Sequence, residues 1–331
     1  MSAARPSEGA KAPPGLMAAA PGLPAQGGTA MSGVDSGNAA ACKASGPREA
    51  GESGGHIWPA EAIWEAVAPL LPGFGVEILP EIDSTNTELM RRARAGRLEP
   101  VLLVAEQQTD GRGRLGRTWD SGGGRGGDGS GAHAGAGLPS LTFSLGLPLA
   151  PVDWSGLSLA VGLSVVESLH PALQLKWPND VWLHDRKLAG ILIETASVGD
   201  VRYAVIGIGL NIAARDGAGL RTPPAAVCEL LPDADAPAVL ARLAAPLVQA
   251  VLRFARDGFA PLRTAFHARD ALVGRELEAS DGVTGTARGV DGQGALLVHT
   301  AAGLKKISSA EVSVRALVPP NGPVPTGPVF P

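Results

Sequence analysis

The stretch EQQTDGRGRLGRTW, residues 106–119, follows the apolar run Val101–Ala105 and carries three glycines and three arginines between positions 111 and 117. The apolar run is typical of a buried strand. Glycines let a backbone turn tightly and approach a ligand closely, and arginines offer forked N–H donors to carboxylate and phosphate oxygens. The stretch therefore predicts an anion-binding loop at a strand end, although a solvated turn has the same composition.

This loop matches neither of two common phosphate-binding sequences. No Gly-Lys-Ser or Gly-Lys-Thr closes it, as in a Walker loop. It is also too basic, and lacks the following βαβ context, for a dinucleotide-binding fingerprint. Its function has to be judged together with the polar residues found elsewhere in the chain.

The whole chain of 331 residues has a formal net charge of −4, so no global positive field gathers nucleic acid. No uninterrupted apolar run has the roughly 18 residues that predict a membrane span, and no signal peptide is recognisable. We expect a cytoplasmic protein that binds neither membrane nor nucleic acid. The histidines are scattered and no metal-ligand spacing occurs, so no protein-built metal site is predicted.

Glycine and proline content divides the chain into segments. Residues 1–56 are rich in Ala, Gly and Pro and are predicted to be disordered. A large folded domain is expected over 57–270, with a flexible glycine-rich insert at 121–137. Short apolar pairs separated by Gly and Asp predict a small β-barrel over 271–317, and residues 318–331 form a Pro-rich tail.

Small polar residues stand where a predicted strand meets a predicted helix, in Asp83–Glu88. Thr85 with Glu88 fits a capping box that opens the helix. Ser84, Thr85 and Asn86 are also well placed to hydrogen-bond a neutral polar ligand. Capping is the simpler interpretation when these residues are taken alone.

Two lysines stand beside a second predicted turn. The strand Leu173–Trp177 ends with Lys176, and Lys187 opens the next apolar run. A lysine in an apolar strand is costly unless it meets an anion. Local pairing with Asp180 and Asp185 is one interpretation, but two lysines flanking one Pro-Asn turn favour a bound anion.

The candidate residues are cationic or neutral-polar and include no Ser-His-Asp triad. Such a set binds anions and stabilises developing negative charge. A carboxylate is already ionised at neutral pH, so its activation by a nucleotide needs orientation and charge neutralisation rather than a base. The activation of a carboxylate by a nucleotide is therefore the chemistry that these residues favour.

Five motifs resemble those of the biotin–protein ligases, in the order of that family: DSTN (83–86), QTDGRGRLGRTW (108–119), KWPND (176–180), RKLAGILIE (186–194) and GIGLNI (207–212). Five motifs in order are far more specific than any one of them. The resemblance covers about Ile57 to Arg315. It implies an α+β fold, with a catalytic domain related to class II aminoacyl-tRNA synthetases, built as a mixed sheet flanked by helices, and a C-terminal Src-homology-3-like barrel.

The same resemblance implies an ATP-dependent ligase of the biotin–[acetyl-CoA-carboxylase] type. Biotin and ATP, with Mg²⁺, would form biotinyl-5′-AMP and pyrophosphate, and biotin would then pass to one lysine of a biotin carboxyl carrier domain. Because residues 1–56 cannot form the DNA-binding domain of bifunctional members, we expect a monofunctional ligase. The resemblance leaves a homodimer open.

The resemblance also assigns roles to single residues. The catalytic residues would be Arg112, Lys176 and Lys187. Biotin would be bound by Ser84, Thr85, Asn86, Gln108, Arg112, Gly113, Arg114, Lys176 and Gly190. ATP and the adenylate would be bound by Arg112, Arg114, Arg117, Trp119, Asn179, Lys187 and Asn211.

Two other functions stay open on the sequence alone. A lipoate–protein ligase of the same fold also activates a carboxylate with ATP, but its substrate has no ureido ring for Ser84–Asn86 and Gln108 to bind. An RNA-binding module with Gly/Arg loops belongs to a different class. The near-neutral charge and the aromatic content of 4% oppose it, since single-strand binders stack bases on aromatic rings.

Overall fold

The computed structural model describes residues 56–122, 137–220, 222–308 and 314–317. Nearly all of the predicted extension 1–56, the interior of the insert 121–137 and the tail 318–331 lie outside these ranges. The predictions made for those segments stay predictions.

The larger sheet of the described residues has seven strands: β1 (Gly75–Ile82), β2 (Val101–Gln108), β3 (Ser140–Pro148), β4 (Gln174–Lys176), β5 (Asp180–Leu183), β6 (Arg186–Val198) and β7 (Val201–Asn211). Their order across the sheet is β1-β2-β3-β7-β6-β5-β4. β1 and β2 run parallel, and every other neighbouring pair runs antiparallel. The sheet is therefore mixed, as the resemblance implies.

Five α-helices accompany this sheet in the described ranges: α1 (Ala60–Val67), α2 (Thr85–Arg94), α3 (Leu157–Leu169), α4 (Ala236–Asp257) and α5 (Arg263–His267). α3 and α4 pack against one another and against one face of the sheet. α2 covers part of the opposite face through Leu89 and Met90. The sheet is thus flanked by helices on both sides.

Side chains of the sheet alternate between its two faces, as the strand period of two requires. Phe143 of β3 and Ile206 of β7 belong to the apolar face, which is buried with α3 and α4. The intervening positions carry mostly small or polar residues: Thr142 and Ser144 of β3, Gly190, Leu192 and Glu194 of β6, and Gly207 and Gly209 of β7. Beside α2, this second face is the floor of the cavity described below.

α4 is the one helix of the described residues that is long and apolar enough, by composition, to cross a membrane. Core helices of folded proteins meet the same criterion. Here Leu240, Leu243, Leu247 and Val251 of α4 are buried in the hydrophobic core.

A second, antiparallel sheet follows the helices: β8 (Glu276–Ala279), β9 (Thr284–Val290), β10 (Leu296–Thr300), β11 (Gly303–Ile307) and β12 (Val314–Ala316), in the order β11-β10-β9-β8-β12. Backbone hydrogen bonds tie its entry to β4, since Leu175 N donates to Arg269 O at 2.7 Å and Ala271 N donates to Leu175 O at 2.9 Å. The buried Trp177 donates from Nε1 to Gly294 O at 3.0 Å. The predicted small antiparallel domain is therefore present.

The predicted capping box at the start of α2 is wrong. Ser84 is the N-cap, and its Oγ accepts from Thr87 N. Glu88 does not reach back to the cap; it bonds Arg91 and Arg92 one turn further along the helix. The hydroxyl of Thr85 is thereby left for contacts inside the site.

Candidate active site

A cavity of about 120 Å³ lies over the small-residue face of the larger sheet. The start of α2, the basic loop (residues 111–119), β6 and β7 bound it. It brings together all but one of the predicted site residues: Ser84, Thr85, Asn86, Gln108, Arg112, Gly113, Arg114, Arg117, Trp119, Lys176, Asn179, Lys187 and Gly190. These residues come from four of the motifs, and Gly207 and Gly209 of the fifth motif, GIGLNI, line the same cavity.

Hydrogen bonds fix a polar corner at the start of α2. Ser84 accepts from Thr87 N at 3.4 Å, and its own O–H is available as a donor. Thr85 N and Thr85 Oγ1 lie 2.8 and 3.2 Å from Gln108 Oε1. Gln108 therefore turns its Nε2 toward Gly111, where a Cβ atom would lie 3.0 Å from that nitrogen. The corner offers donors and acceptors to a neutral polar ligand.

Two residues stand behind this corner: Ser144, which lies outside the five motifs, and Glu194, which ends the motif RKLAGILIE but is not among the predicted site residues. Ser144 Oγ lies 2.7 Å from both Thr85 Oγ1 and Asn86 Oδ1. Asn86 Nδ2 donates to Glu194 Oε2 at 2.8 Å and to Leu192 O at 3.3 Å. Protein atoms thus use both N–H donors of the Asn86 amide, so Asn86 can donate to a ligand only if one of these bonds breaks.

Four cationic side chains surround one carboxylate at the other end of the cavity. The cations are Arg114, Arg117, Lys176 and Lys187, and Asp180 is the single acidic residue among the described residues that line the cavity. Lys187 Nζ lies 2.8 Å from Asp180 Oδ1, so local pairing, the alternative interpretation, holds for this lysine. Positive charge still exceeds negative charge here, and the cluster favours an anion.

Burial is the main cause that lowers the pKa of Lys176 below its usual value. The neighbouring Asp180 raises that pKa, and the nearby Lys187, Arg117 and Arg114 lower it. Burial likewise lowers the pKa of Arg114. An anion bound among these groups raises both pKa values and so opposes the effect of burial, and the site therefore gains more from an anion than a solvated surface does.

Asn179 stands between the cation cluster and the sheet. Its Oδ1 accepts from Arg114 Nη1 at 3.3 Å, and its Nδ2 donates to Ile191 O at 2.8 Å. Asn179 therefore links the basic loop to β6 and orients Arg114.

The basic loop folds as a narrow hairpin. Arg112 and Thr118 form an antiparallel bridge, and Trp119 N donates to Gly111 O at 2.8 Å. Gly111 is required because a Cβ atom at this position would lie 2.3 Å from Trp119 O. The hairpin carries Arg114 into the cation cluster and leaves the Arg112 side chain 54% exposed.

The Trp119 indole lies across the glycines of the floor. A Cβ atom on Gly209 would lie 2.4 Å from Trp119 Cε2, and one on Gly190 would lie 3.5 Å from Trp119 Cζ3. Lys187 Nζ is 5.9 Å from the ring centroid. The glycines of β6 and β7 therefore make room for an aromatic ring next to the cations.

Asn211 is the predicted site residue that does not line this cavity. Its Nδ2 donates to Ala225 O at 2.9 Å and to Lys187 O at 3.2 Å, and its Oδ1 accepts from Arg215 Nη1 at 3.1 Å. Asn211 lines an adjoining cavity toward the second sheet. The structure thus gives it a supporting position behind Lys187.

Two family models match the chain. Residues 123–211 match the Biotin/lipoate A/B protein ligase family, and residues 276–315 match the Biotin protein ligase C terminal domain. The two matches fall on the larger sheet and on the second sheet, in that order.

Curated relatives extend the similarity. The Biotin--[acetyl-CoA-carboxylase] ligase of Paracoccus denitrificans is 35% identical over 254 residues, which are 71% of this chain and 98% of that protein. The Bifunctional ligase/repressor BirA of Escherichia coli is 35% identical over 257 residues, which are 74% of this chain and 76% of that protein. The chain belongs to the biotin protein ligase family. It is therefore an enzyme, and its class is that of the ligases.

A solved biotin protein ligase shares the fold described above. The enzyme from Aquifex aeolicus, in complex with biotin and ATP, matches with a TM-score of 0.60 and 28% identity, over 73% of this chain and 98% of that one. This confirms the prediction of a mixed sheet flanked by helices with a small C-terminal antiparallel sheet in a biotin protein ligase.

Proposed function

We propose that this ligase activates biotin with ATP, forming biotinyl-5′-AMP and pyrophosphate, and then transfers biotin to one lysine of a carboxylase carrier domain of the acetyl-CoA carboxylase type. The observation that carries the proposal is one cavity with a neutral hydrogen-bonding corner at one end and a cation cluster at the other. Biotin has a neutral ureido ring at one end and a carboxylate at the other, so its two ends match the two ends of the cavity.

The polar corner is complementary to a cyclic urea. The O–H of Ser84 is available to a carbonyl oxygen, and Thr85 and Gln108 stand beside it. Each neutral hydrogen bond contributes about 0.5–1.5 kcal/mol net. Three such hydrogen bonds are enough to select the uncharged ring, and no charged side chain is needed for it.

The cation cluster suits the first chemical step. A carboxylate oxygen of biotin attacks the α-phosphorus of ATP, a P–O bond forms, and the bond to the β-phosphate breaks to release pyrophosphate. Arg114, Arg117, Lys176 and Lys187 would neutralise the charge on these oxygens, which is the largest contribution that residues of this type make to such a step. Gln108, Arg112 and Gly113 would hold the ring and chain of biotin beside them.

The second step joins biotin to the carrier. The amine of the acceptor lysine attacks the acyl carbon, an amide bond forms, AMP leaves and the amine loses a proton. Pyrophosphate, released in the first step, and AMP, released in the second, are both anions, and both would leave from the cation cluster. Paracoccus denitrificans and Mycobacterium tuberculosis relatives bear the name Biotin--[acetyl-CoA-carboxylase] ligase, which supports this class of acceptor.

Mg²⁺ would enter with ATP. The described residues contain no group of three or more His, Cys, Asp or Glu side chains that could hold a metal ion. Asp180, the one carboxylate among the described residues that line the cavity, is paired with Lys187. Magnesium held mainly by phosphate oxygens and water fits this donor set, since that ion commonly takes only one or two protein carboxylates.

Pyrophosphate exchange tests the proposal. The purified protein is expected to exchange labelled pyrophosphate into ATP only when biotin is present. Arg112→Ala and Lys187→Ala should each lower that exchange at least tenfold while circular dichroism stays unchanged. Exchange without biotin, or no exchange at all, would overturn the proposal.

A lipoate–protein ligase is the second candidate, because the family model matching residues 123–211 covers biotin and lipoate ligases alike. Lipoate has no ring N–H or carbonyl for Thr85 and Gln108 to bind. We therefore expect excess free biotin, and not lipoate, to raise the melting temperature in the presence of ATP.

Finer features of the family carry over as proposals. The larger domain would be related to class II aminoacyl-tRNA synthetases, supported by its mixed sheet, and the five-stranded sheet would be a Src-homology-3-like barrel. We also propose a cytoplasmic enzyme that acts without nucleic acid or membrane. Gel filtration with and without biotin and ATP tests for a homodimer.

A further inference from the structure

Behind the polar corner lies a chain of hydrogen bonds that runs from a carboxylate to the cavity. Its members, in order, are Glu194, Asn86, Ser144 and Thr85. Thr85 and Asn86 line the cavity, whereas Glu194 and Ser144 do not. Ser144 is fully buried, so its hydroxyl has only protein partners.

The direction of each hydrogen bond in this chain follows from the first member. A carboxylate accepts and does not donate, so Asn86 must present Nδ2 to Glu194, and the 3.3 Å contact with Leu192 O requires the same orientation. Asn86 Oδ1 can then only accept, and the single proton of Ser144 must point at it over 2.7 Å.

The last bond is fixed by exclusion. Ser144 Oγ and Thr85 Oγ1 are 2.7 Å apart, a distance that needs a proton between the two oxygens. Ser144 has already given its proton to Asn86, so Thr85 donates to Ser144, and the longer 3.2 Å contact of Thr85 Oγ1 with Gln108 Oε1 then holds no proton. The remaining lone pairs of Thr85 Oγ1 can only accept, and Thr85 lines the cavity.

We propose that Glu194 and Ser144 are positioning residues that set the hydrogen-bond polarity of Thr85 and so make this site select a ligand that offers an N–H at that point. The inference rests on the proposed function, in which the ligand is biotin and the group is a ring N–H of its urea. Neither Glu194 nor Ser144 touches the ligand. Both act through Thr85, whose hydroxyl could otherwise rotate and donate.

The test compares biotin with two cyclic carbamate analogues, in each of which one ring N–H is replaced by oxygen. The two groups are similar in size, but the oxygen can only accept. Dissociation constants are measured by calorimetry for the full chain. The original protein should bind biotin at least about tenfold more tightly than one of the analogues. This ratio corresponds to the binding free energy of one hydrogen bond.

Ser144→Ala frees the Thr85 hydroxyl to rotate toward the cavity or toward Gln108 Oε1. The variant should bind biotin about tenfold more weakly than the original protein does, and it should bind that analogue and biotin about equally well. Its selectivity for biotin over the analogue would then be lost. Glu194→Gln keeps the shape but can donate or accept, and it should narrow the selectivity by a smaller factor. Ser164→Ala removes a buried hydroxyl in α3 and should leave the selectivity unchanged.

A double mutant separates this role from a general packing role. In a Thr85→Val background, Ser144→Ala should have little further effect on biotin affinity, because the group through which it acts is gone. Full selectivity in Ser144→Ala and Glu194→Gln, or fully additive losses in the double mutant, would overturn the inference. Absence of biotin binding by the original protein would instead overturn the proposed function.

Discussion

The affinity of the cation cluster for an anionic ligand depends on Lys176. This lysine has no ion pair among the described residues. Burial lowers its pKa, and binding of an anionic ligand restores it, so binding of ATP with biotin should be accompanied by proton uptake in mildly alkaline solution. We expect the affinity to fall as pH rises through the lowered pKa, at a pH below the usual lysine value of about 10.4. Calorimetry from pH 7 to 10 in two buffers measures the uptake.

Lys176→Met is the control for that pH dependence. It should bind more weakly at every pH, by about 10- to 100-fold, because one charge is missing from the cluster. Its alkaline loss of affinity should be much smaller than that of the original protein. An equal alkaline loss in both proteins would assign the titration to another group.

Gly209 shows what a single methyl group does to the site. A Cβ atom there would lie 2.4 Å from Trp119 Cε2, so Gly209→Ala must displace the indole from the floor. We expect the KM for ATP to rise up to about tenfold, as ring contacts contribute about 0.5–1.5 kcal/mol, with a smaller change for biotin. Gly75→Ala is the matched control, since a Cβ atom at that strand glycine meets nothing within 4 Å. Equal KM values for both variants would contradict the placement of Trp119.

At the scale of elements, one ion pair joins two loops that border the site. Arg215 lies in the loop after β7, and Asp120 directly follows the basic loop. Arg215 Nη2 lies 2.6 Å from Asp120 Oδ2, and Arg215 Nη1 donates to Asp120 O at 2.9 Å. Asp120→Ala or Arg215→Ala should loosen the loop that carries Trp119. We expect a five- to twentyfold rise in the KM for ATP in pyrophosphate exchange, with little change in melting temperature, since exposed ion pairs contribute under about 1 kcal/mol.

Arg256→Ala controls for the loss of an exposed ion pair, because Arg256 pairs with Asp257 at the end of α4, outside both cavities. It should leave the KM for ATP unchanged. Should Arg215→Ala match this control, the pair would have no part in holding the loop.

The elements around the motifs could be predicted from the sequence because each has a local signal. The apolar run before the basic loop is β2, and Lys176 ends β4 as expected. The role of Ser144 and Glu194 could not be predicted, since Ser144 lies outside the motifs and Glu194, although it ends the motif RKLAGILIE, is separated from Asn86 by more than 100 residues. Only the register of the sheet, which pairs both Ser144 and Leu192 with Gly207, brings them to Asn86. The pairing of Lys187 with Asp180 was one of two open alternatives, and periodicity cannot choose between them.

At the scale of the whole molecule, the arrangement of the larger sheet explains why the site has its position. One face is covered by α3 and α4, so the small and polar residues of β3, β6 and β7 all fall on the other face. The basic loop and the start of α2 then rise above that face from one edge. The proposed ligand, with a neutral end and an anionic end, would lie between elements that the sheet register has already aligned.

The junction between the two sheets contains a buried carboxylate, that of Asp270. Its Oδ1 accepts from Leu272 N at 2.8 Å, and its Oδ2 has no partner among the described residues. Burial raises its pKa to about 6. The folded state thus holds a proton that the unfolded state loses near pH 4, so the free energy of unfolding falls as pH rises from about 4 to 6.

Asp270→Asn removes that ionisation and keeps the acceptor for Leu272 N. A difference of about two pKa units corresponds to about 3 kcal/mol, which sets the upper limit of the expected gain in stability above pH 6. The gain should disappear near pH 4, where Asp270 is protonated in both states. Urea unfolding at pH 4, 6 and 8 measures it, with the exposed Asp233→Asn as the control. Because the carboxylate lies where the second sheet joins β4, a variant equally stable or less stable at pH 8 would mean that water or rearrangement of this junction already relieves the charge.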